Sequence, residues 1–169
     1  MSIYTEGEFS LRRLLPNEWK IYREIRLEAL QEEPAVFGAN YDEQFKKADE
    51  EWQNRLLDPD AAMFILVNRD EVIGMTGIYV PKDTPDQAKL IASYIRKPYR
   101  GRGLSALLYR ARLDWARGRG LKSVIVAHRA SNLASKGANQ KFGFIYTHTD
   151  TNQWPDGIES DQHWYKLDL

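Results

Sequence analysis

The stretch Ile95-Arg-Lys-Pro-Tyr-Arg100-Gly-Arg-Gly103-Leu-Ser105 stands between two segments of different periodicity. Before it, Leu90 to Ile95 is an apolar, β-rich run. After it, Ser105 to Gly118 sets Leu104, Leu108, Ala111 and Trp115 on one helical stripe and stops at Gly118 and Gly120, the usual residues of a helix end. The stretch is therefore a strand-to-helix turn crowded with Arg96, Lys97, Arg100 and Arg102. Its glycines, Gly101 and Gly103, permit a sharp turn and a close approach of backbone to ligand. The helix that follows presents unpaired N–H groups and the positive end of its dipole. Arginines beside them add charge-assisted hydrogen bonds. A phosphate or pyrophosphate ligand is the chemistry this pattern predicts.

Working outward, Ser123 to His128 reads as the next strand, so the strand, helix and strand around the turn form one parallel crossover. Upstream, Phe9 to Leu14 reads as a first strand. A helix then starts near Pro16, carries Trp19, Tyr22, Ile25 and Ala29 on one face, and ends near Glu33-Pro34. Pro34 to Gln44 has no clear period and reads as an ordered loop, and Asp49 to Leu57 as a second helix. Met63 to Asn68 and Val72 to Val80 form a hairpin across Arg69-Asp70-Glu71, and Pro81 to Ala88 a loop. Downstream, Leu133 to Lys141 is a short helix, and a last hairpin runs from Phe144 to Leu169 around Pro155-Asp156-Gly157. The order β-α-α-β-β-β-α-β-α-β-β predicts an α/β (α+β) fold with one mixed, mostly antiparallel sheet. A doubly wound sheet would alternate strand and helix throughout.

Two common phosphate motifs do not fit. The Walker pattern fails at the turn and again at Gly120-Leu-Lys-Ser123, where a leucine separates glycine from lysine. The dinucleotide spacing is met by Gly101, Gly103 and Ala106. However, the next strand ends in His128-Arg129 rather than in an acidic residue for a ribose, and no second mononucleotide-binding half follows.

The turn resembles the coenzyme motif of the GNAT acetyltransferases, written [QR]-x-x-G-x-[GA], with Arg100 first, Gly103 fourth and Ser105 in the last place, where the family prefers glycine or alanine. Arg129-Ala-Ser-Asn132 followed by Asn139-Gln-Lys-Phe-Gly-Phe144 is similar to the family's second signature. Arg26-Leu-Glu-Ala-Leu30 with Pro34 and Phe37 is similar to its first helix and acceptor loop. The resemblance spans the chain and implies a GNAT fold of about seven strands and about four helices, split between the fourth and fifth strands, with residues 1–169 as one domain. It implies acetyl-CoA as cosubstrate and a primary amine, on a small molecule or a peptide, as acceptor. Coenzyme contacts carried over are the backbone of Ser93, Tyr94 and Ile95 for the pantetheine arm, Arg100, Gly101, Arg102, Gly103, Leu104, Ser105 and Ala106 for the pyrophosphate, and Asn132 and Asn139 for the rest. A backbone N–H near Ile95 would stabilise the oxyanion.

The acid and base do not carry over. Where many family members have a tyrosine seven residues after the asparagine, this chain has Asn139. Where some have a glutamate five residues before it, this chain has Ala127. Candidates are Tyr94, His128, Glu28 and Glu43, each with an ordinary structural reading beside the catalytic one. A non-catalytic acyl-CoA-binding module therefore stays open as an alternative.

Composition narrows the field. Lysine plus arginine and aspartate plus glutamate both number 24, so no overall field attracts nucleic acid or an anionic membrane. The absence of cysteine excludes disulfides and thiolate chemistry. His148 and His163 lack metal-ligand spacing, so no metal is expected. Trp52, Trp154 and Trp164 are expected to pack. The longest apolar run, Ala61 to Val67, falls short of the ~20 residues that span a bilayer. Met-Ser-Ile-Tyr-Thr-Glu at the start lacks the regions of a signal peptide, so a cytoplasmic protein is expected, with a homodimer left open.

Overall fold

The computed structural model describes residues 2–169. In chain order the elements are β1 (Ile3–Glu6), β2 (Phe9–Arg13), α1 (Trp19–Glu32), α2 (Tyr41–Phe45), α3 (Asp49–Leu57), β3 (Ala61–Asn68), β4 (Glu71–Tyr79), β5 (Gln87–Ile95), α4 (Ser105–Gly118), β6 (Ser123–Arg129), α5 (Leu133–Lys141), β7 (Ile145–Gln153) and β8 (Glu159–Asp168). One open sheet takes the order β1-β2-β3-β4-β5-β6-β8-β7. Every pairing in it is antiparallel except β5 with β6. The sheet is mixed, as the sequence predicts.

The counts differ from the expected seven and four by one of each. The additional strand, β1, is short and mostly exposed, pairing with β2 from Ile3↔Arg12 to Glu6↔Phe9. It has no apolar alternation to announce it. The additional helix, α2, begins within the segment read as loop, Pro34 to Gln44, and ends one residue past it. It is set by Asn40, whose side chain accepts from the amides of Asp42 and Glu43, a cap that satisfies N–H groups no helix can pair internally. In addition, β5 begins at Gln87, inside the expected loop, because its first residues find partners on β6.

The central strands of the sheet are covered on both faces. Phe64 and Leu66 of β3 join the layer under α4 with Leu107, Leu108 and Val124, while Met63 and Ile65 join the layer under α1 and α3 with Ile25, Leu30 and Trp52. Successive side chains of a strand point to opposite faces. With both faces buried, β3 reads as a continuous apolar run rather than as an alternation. Helix α4 buries Leu107, Leu108, Ala111 and Leu113, each leucine contributing roughly 1.5–3 kcal/mol through burial. Among the described residues no helix is long and apolar enough to cross a membrane.

Strands β5 and β6 pair only through Gln87↔Ser123, Ala88↔Val124 and Lys89↔Ile125. Beyond Lys89, β5 stays with β4 as far as Gly74↔Ile95, and β6 stays with β8 as far as Arg129↔Gln162. The two therefore diverge, and this is the split expected between the fourth and fifth predicted strands. A bulge begins the divergence. Pairing jumps from Gly77↔Ile91 to Met75↔Tyr94, and Ala92 lies at φ 60°. An unpaired residue in one strand bends it and increases its twist.

Candidate active site

The divergence opens a cleft with two chambers that share Phe37, Ala92 and His128 in their walls. One, of about 110 Å³, lies toward α4 and α5 and is reached by Ser93, Tyr109, Arg112, Asn132 and Asn139. The other, of about 500 Å³, faces the β7–β8 hairpin and is bordered by Arg26, Lys89, Trp154 and Trp164.

At the end of β5 a 3₁₀ turn over Lys97–Tyr99 leads into the glycine loop. Gly101 and Gly103 have φ of 74° and 76°, and a Cβ on either would stand in open space. Both are left-handed positions that suit glycine. Among the described residues, no acceptor takes the amides of Gly101, Arg102, Gly103, Leu104 or Ser105, while Ala106 donates to Gly103 O at 3.2 Å. These successive free N–H groups at the start of α4 form a nest suited to an anion. Ala106, predicted with them, spends its amide inside the turn.

The basic side chains divide. Arg96 gives its guanidinium to Glu28 at 2.7 Å and to Glu71 at 2.6 Å. It is thus withdrawn from the anion-binding role that its place in the cluster predicts. Arg100 donates Nε–H to Ile95 O at 2.6 Å and pairs with Glu33 at 3.0 Å. Arg102 lies 5.6 Å from the Tyr99 ring centre and 5.9 Å from that of Phe9.

In the smaller chamber the Tyr109 hydroxyl donates to Asn139 Oδ1, and Asn139 Nδ2 is buried without a partner. Tyr109 stacks on Phe142, and burial raises its pKa, the Arg112 charge opposing. Arg112 is 2% exposed and donates to Ser93 Oγ at 3.0 Å and Leu108 O at 2.9 Å, with no carboxylate in reach among the described residues. Burial lowers its pKa to about 10. Ser93 Oγ also bonds Thr76 Oγ1 at 2.8 Å. Asn132 caps α5, its Oδ1 accepting from the Ser135 amide at 3.1 Å.

His128 stands between the chambers. Its Nδ1 lies 2.6 Å from Arg129 O. A carbonyl only accepts, so Nδ1 carries the proton and Nε2 has the lone pair, 3.3 Å from the Tyr165 hydroxyl. Burial lowers its pKa, and the Arg129 hydrogen bond opposes this. The ring is neutral at neutral pH.

The other predicted residues stand apart from these chambers. Tyr94 packs in the layer under α1, and its pKa is pushed up to about 12, first by burial and then by the Glu28 carboxylate. Glu28 is held ionised by Arg96, which lowers its pKa. Glu43 is exposed on α2. Sequence reasoning named Arg26 only within the first-helix resemblance and missed Tyr109 and Arg112 altogether. The spacing of Arg112 from Leu108 and of Tyr109 from Arg112 places all three on the buried side of α4, but a charged residue on an amphipathic helix is ordinarily assigned to solvent. No group of three or more histidine, aspartate or glutamate side chains among the described residues could hold a metal ion.

Comparison with known proteins adds to this geometry. The model of the acetyltransferase (GNAT) family matches residues 19–144. No curated protein sequence matches significantly. Among solved structures, the ribosomal-protein-S5-alanine acetyltransferase from Vibrio fischeri superposes with TM-score 0.82 at 14% identity, over 99% of this chain and 97% of that one. A ribosomal L7/L12 α-N-protein acetyltransferase in complex with coenzyme A gives 0.79 at 14% identity, over 99% and 98%. An N-acetyltransferase from Staphylococcus aureus Mu50 gives 0.75 at 21% identity, over 95% and 98%. At such identities the likeness is one of fold.

Proposed function

The chain belongs to the acetyltransferase (GNAT) family, and from that premise we propose that it transfers an acetyl group from acetyl-CoA to a primary amine of a small molecule or peptide, with residues 1–169 acting as one domain. The observation that carries this reading is the short β5–β6 pairing, limited to residues 87–89 and 123–125, beside a loop whose amides from Gly101 to Ser105 are unclaimed. A free strand edge suits an amide-bearing arm, and the amide nest suits a pyrophosphate. The open space over Gly101 and Gly103, which a side chain would fill, fits the same ligand.

Acetyl-CoA, when bound, supplies the thioester and the leaving sulfur. Ser93, Tyr94 and Ile95 offer backbone groups to the arm, and Gly101, Arg102, Gly103, Leu104 and Ser105 offer amides to the phosphates. Arg100 sits at the junction of the two. Asn132 and Asn139 line the smaller chamber, where the unpartnered Nδ2 of Asn139 is a donor for a carbonyl of the arm.

Two side chains are suited to the proton traffic. His128 presents the lone pair of Nε2 and takes a proton from the attacking amine as the C–N bond forms. Tyr109, kept protonated by burial, returns one to the sulfur as the C–S bond breaks. Its hydroxyl touches Asn139, the position where the family resemblance expects a tyrosine. The acid is thereby supplied from α4 rather than from α5.

The test is release of free thiol from acetyl-CoA, read with a thiol-reactive dye over a panel of amines and peptides. Related folds named for acetylating ribosomal proteins place peptide amino termini in that panel. The chain has no cysteine, so it contributes no background. Acceptor-dependent release is expected. Tight coenzyme binding with no release across the panel would overturn the transferase in favour of a non-catalytic acyl-CoA-binding module.

A further inference from the structure

The cations around the cleft are mostly matched. Arg96 has Glu28 and Glu71, Arg100 has Glu33, and Arg129 has Asp156 at 2.6 Å. Two are not. Arg26, on α1, forms no side-chain hydrogen bond or ion pair among the described residues, and its Nη1 is buried without a partner. Its guanidinium lies 5.3 Å from the Phe37 ring centre, and burial lowers its pKa. Lys89, the last β5 residue paired with β6, also has no ion pair. Its Nζ lies 4.8 Å from the Trp164 ring centre, and Asp150, which accepts from Trp164 Nε1 at 3.0 Å, is outside salt-bridge reach.

Arg26 and Lys89 border the same 500 Å³ chamber, and no carboxylate does. Arg26 also borders the adjoining chamber of about 550 Å³, which mixes signs, setting Lys47 and Arg55 against Glu51 and Asp58. Of these two larger chambers, only the one that reaches His128 carries charge of a single sign. A buried guanidinium with an open N–H is costly when nothing meets it. An anion entering this chamber would meet both unmatched positive charges and gain charge-assisted hydrogen bonds in a partly desolvated site. A polycation would meet like charge.

We propose that the acceptor amine also bears an anionic oxyacid group, a carboxylate in the simplest case, held by Arg26 and Lys89 while its amino group faces His128. The acceptor is thus of the amino-acid class rather than a polyamine or aminoglycoside. The inference rests on the transferase reading above and specifies its second substrate.

Two measurements separate the two readings. In the first, free amino acids are compared with their carboxamides and with the corresponding decarboxylated amines in the thiol-release assay. The acids are expected to show kcat/KM at least ~10-fold higher, and Arg26→Gln or Lys89→Gln to erase that preference. The second does not depend on turnover. N-acetyl amino acids and their amides are titrated into the protein with coenzyme A present, and binding is read by calorimetry. Only the acids are expected to bind, with at least ~10-fold weaker binding in either variant. Acids and amides that bind and react equally would overturn the inference and leave the transferase standing. Selective binding of acids without thiol release would support it while the transferase fails. The acid–amide comparison on the unaltered protein stands even if Arg26→Gln misfolds.

Discussion

The hydroxyl of Tyr109 on α4 donates to Oδ1 of Asn139 on α5, joining two buried side chains at the wall of the smaller chamber. The bond fixes the amide so that Nδ2 is the unpartnered group. Tyr109→Phe keeps the ring and its packing and removes the proton. Its kcat is expected to fall roughly 10²-fold, a loss well beyond any weakening of coenzyme affinity measured by calorimetry as the Asn139 amide is released. Equal losses in both would assign Tyr109 to structure. In the unaltered protein the alkaline limb is expected no lower than the ordinary tyrosine value of 10.0, because the pKa is raised.

His128 has a pKa lowered from its ordinary 6.5, chiefly by burial. A base with a lowered pKa stays deprotonated further into acid, so the acid limb of kcat/KM should lie below 6.5. The unfolded chain binds the proton first as pH falls. This residue's contribution to stability is therefore present above 6.5 and lost on the way down to the folded value. His128→Gln is expected to abolish the limb and lower kcat by roughly 10²-fold. A pH–rate profile unchanged by the substitution would remove His128 from the chemistry.

Gly103 has φ 76° and open space where a Cβ would be. Gly103→Val is expected to lower unfolding free energy by only about 1–2 kcal/mol, the cost of a left-handed side-chain residue. Its branched side chain would occupy the place of the phosphates, and coenzyme Kd is expected to rise by at least ~10-fold. Calorimetry and a denaturant titration report the two effects separately. Retained affinity would relocate the phosphate site.

Much of this architecture was legible because local signals agreed with one another. Asp49–Leu57, Ser105–Gly118 and Leu133–Lys141 were bounded correctly, and for Ser105–Gly118 an apolar stripe and the closing glycines coincided. The left-handed turn before α4 was legible from its glycines, Gly101 and Gly103. Partner choice was not. That Arg96 would turn to Glu28, 68 residues away, is a tertiary fact without local trace. The roles of Tyr109, Arg112 and Arg26 escaped notice for a related reason. Among the described residues, Arg26 and Arg112 are distinguished by the carboxylates that the fold does not place beside them, Tyr109 by its contact with Asn139, and sequence periodicity reports neither.

Gly74 faces the far end of β5. An added Cβ would stand 2.5 Å from Tyr94 O and 3.4 Å from Ile95 Cα, and backbone cannot swing aside as a flexible side chain can. Gly74→Ala is expected to lower stability by about 1–3 kcal/mol, read as a shift in the denaturation midpoint. It should also disturb coenzyme affinity, because the displaced strand is the one proposed to meet the arm. A variant as stable as the parent would show that β4 and β5 separate without penalty.

Arg112 offers the opposite balance. Its charge is buried without a carboxylate, with a pKa brought down to about 10, and an apolar residue of similar length avoids that desolvation. Arg112→Met is expected to hold unfolding free energy within about 1 kcal/mol of the parent or to raise it. Because Ser93 loses a hydrogen bond that orients it, KM for acetyl-CoA is expected to rise about tenfold. A large loss of stability would identify the guanidinium as a structural tie instead.

The bulge at Ala92 has a meaning for the protein's history as well as its shape. An alanine at φ 60° carries a strain of about 1–2 kcal/mol that glycine would not. Heat-challenged laboratory lineages, freed from any demand on activity, should therefore drift to glycine at this position early. Lineages that must go on turning over substrate should keep the alanine wherever its methyl group shapes the mouth of the cleft. Sequencing this one codon across both populations would record whether endurance or catalysis governed their descent.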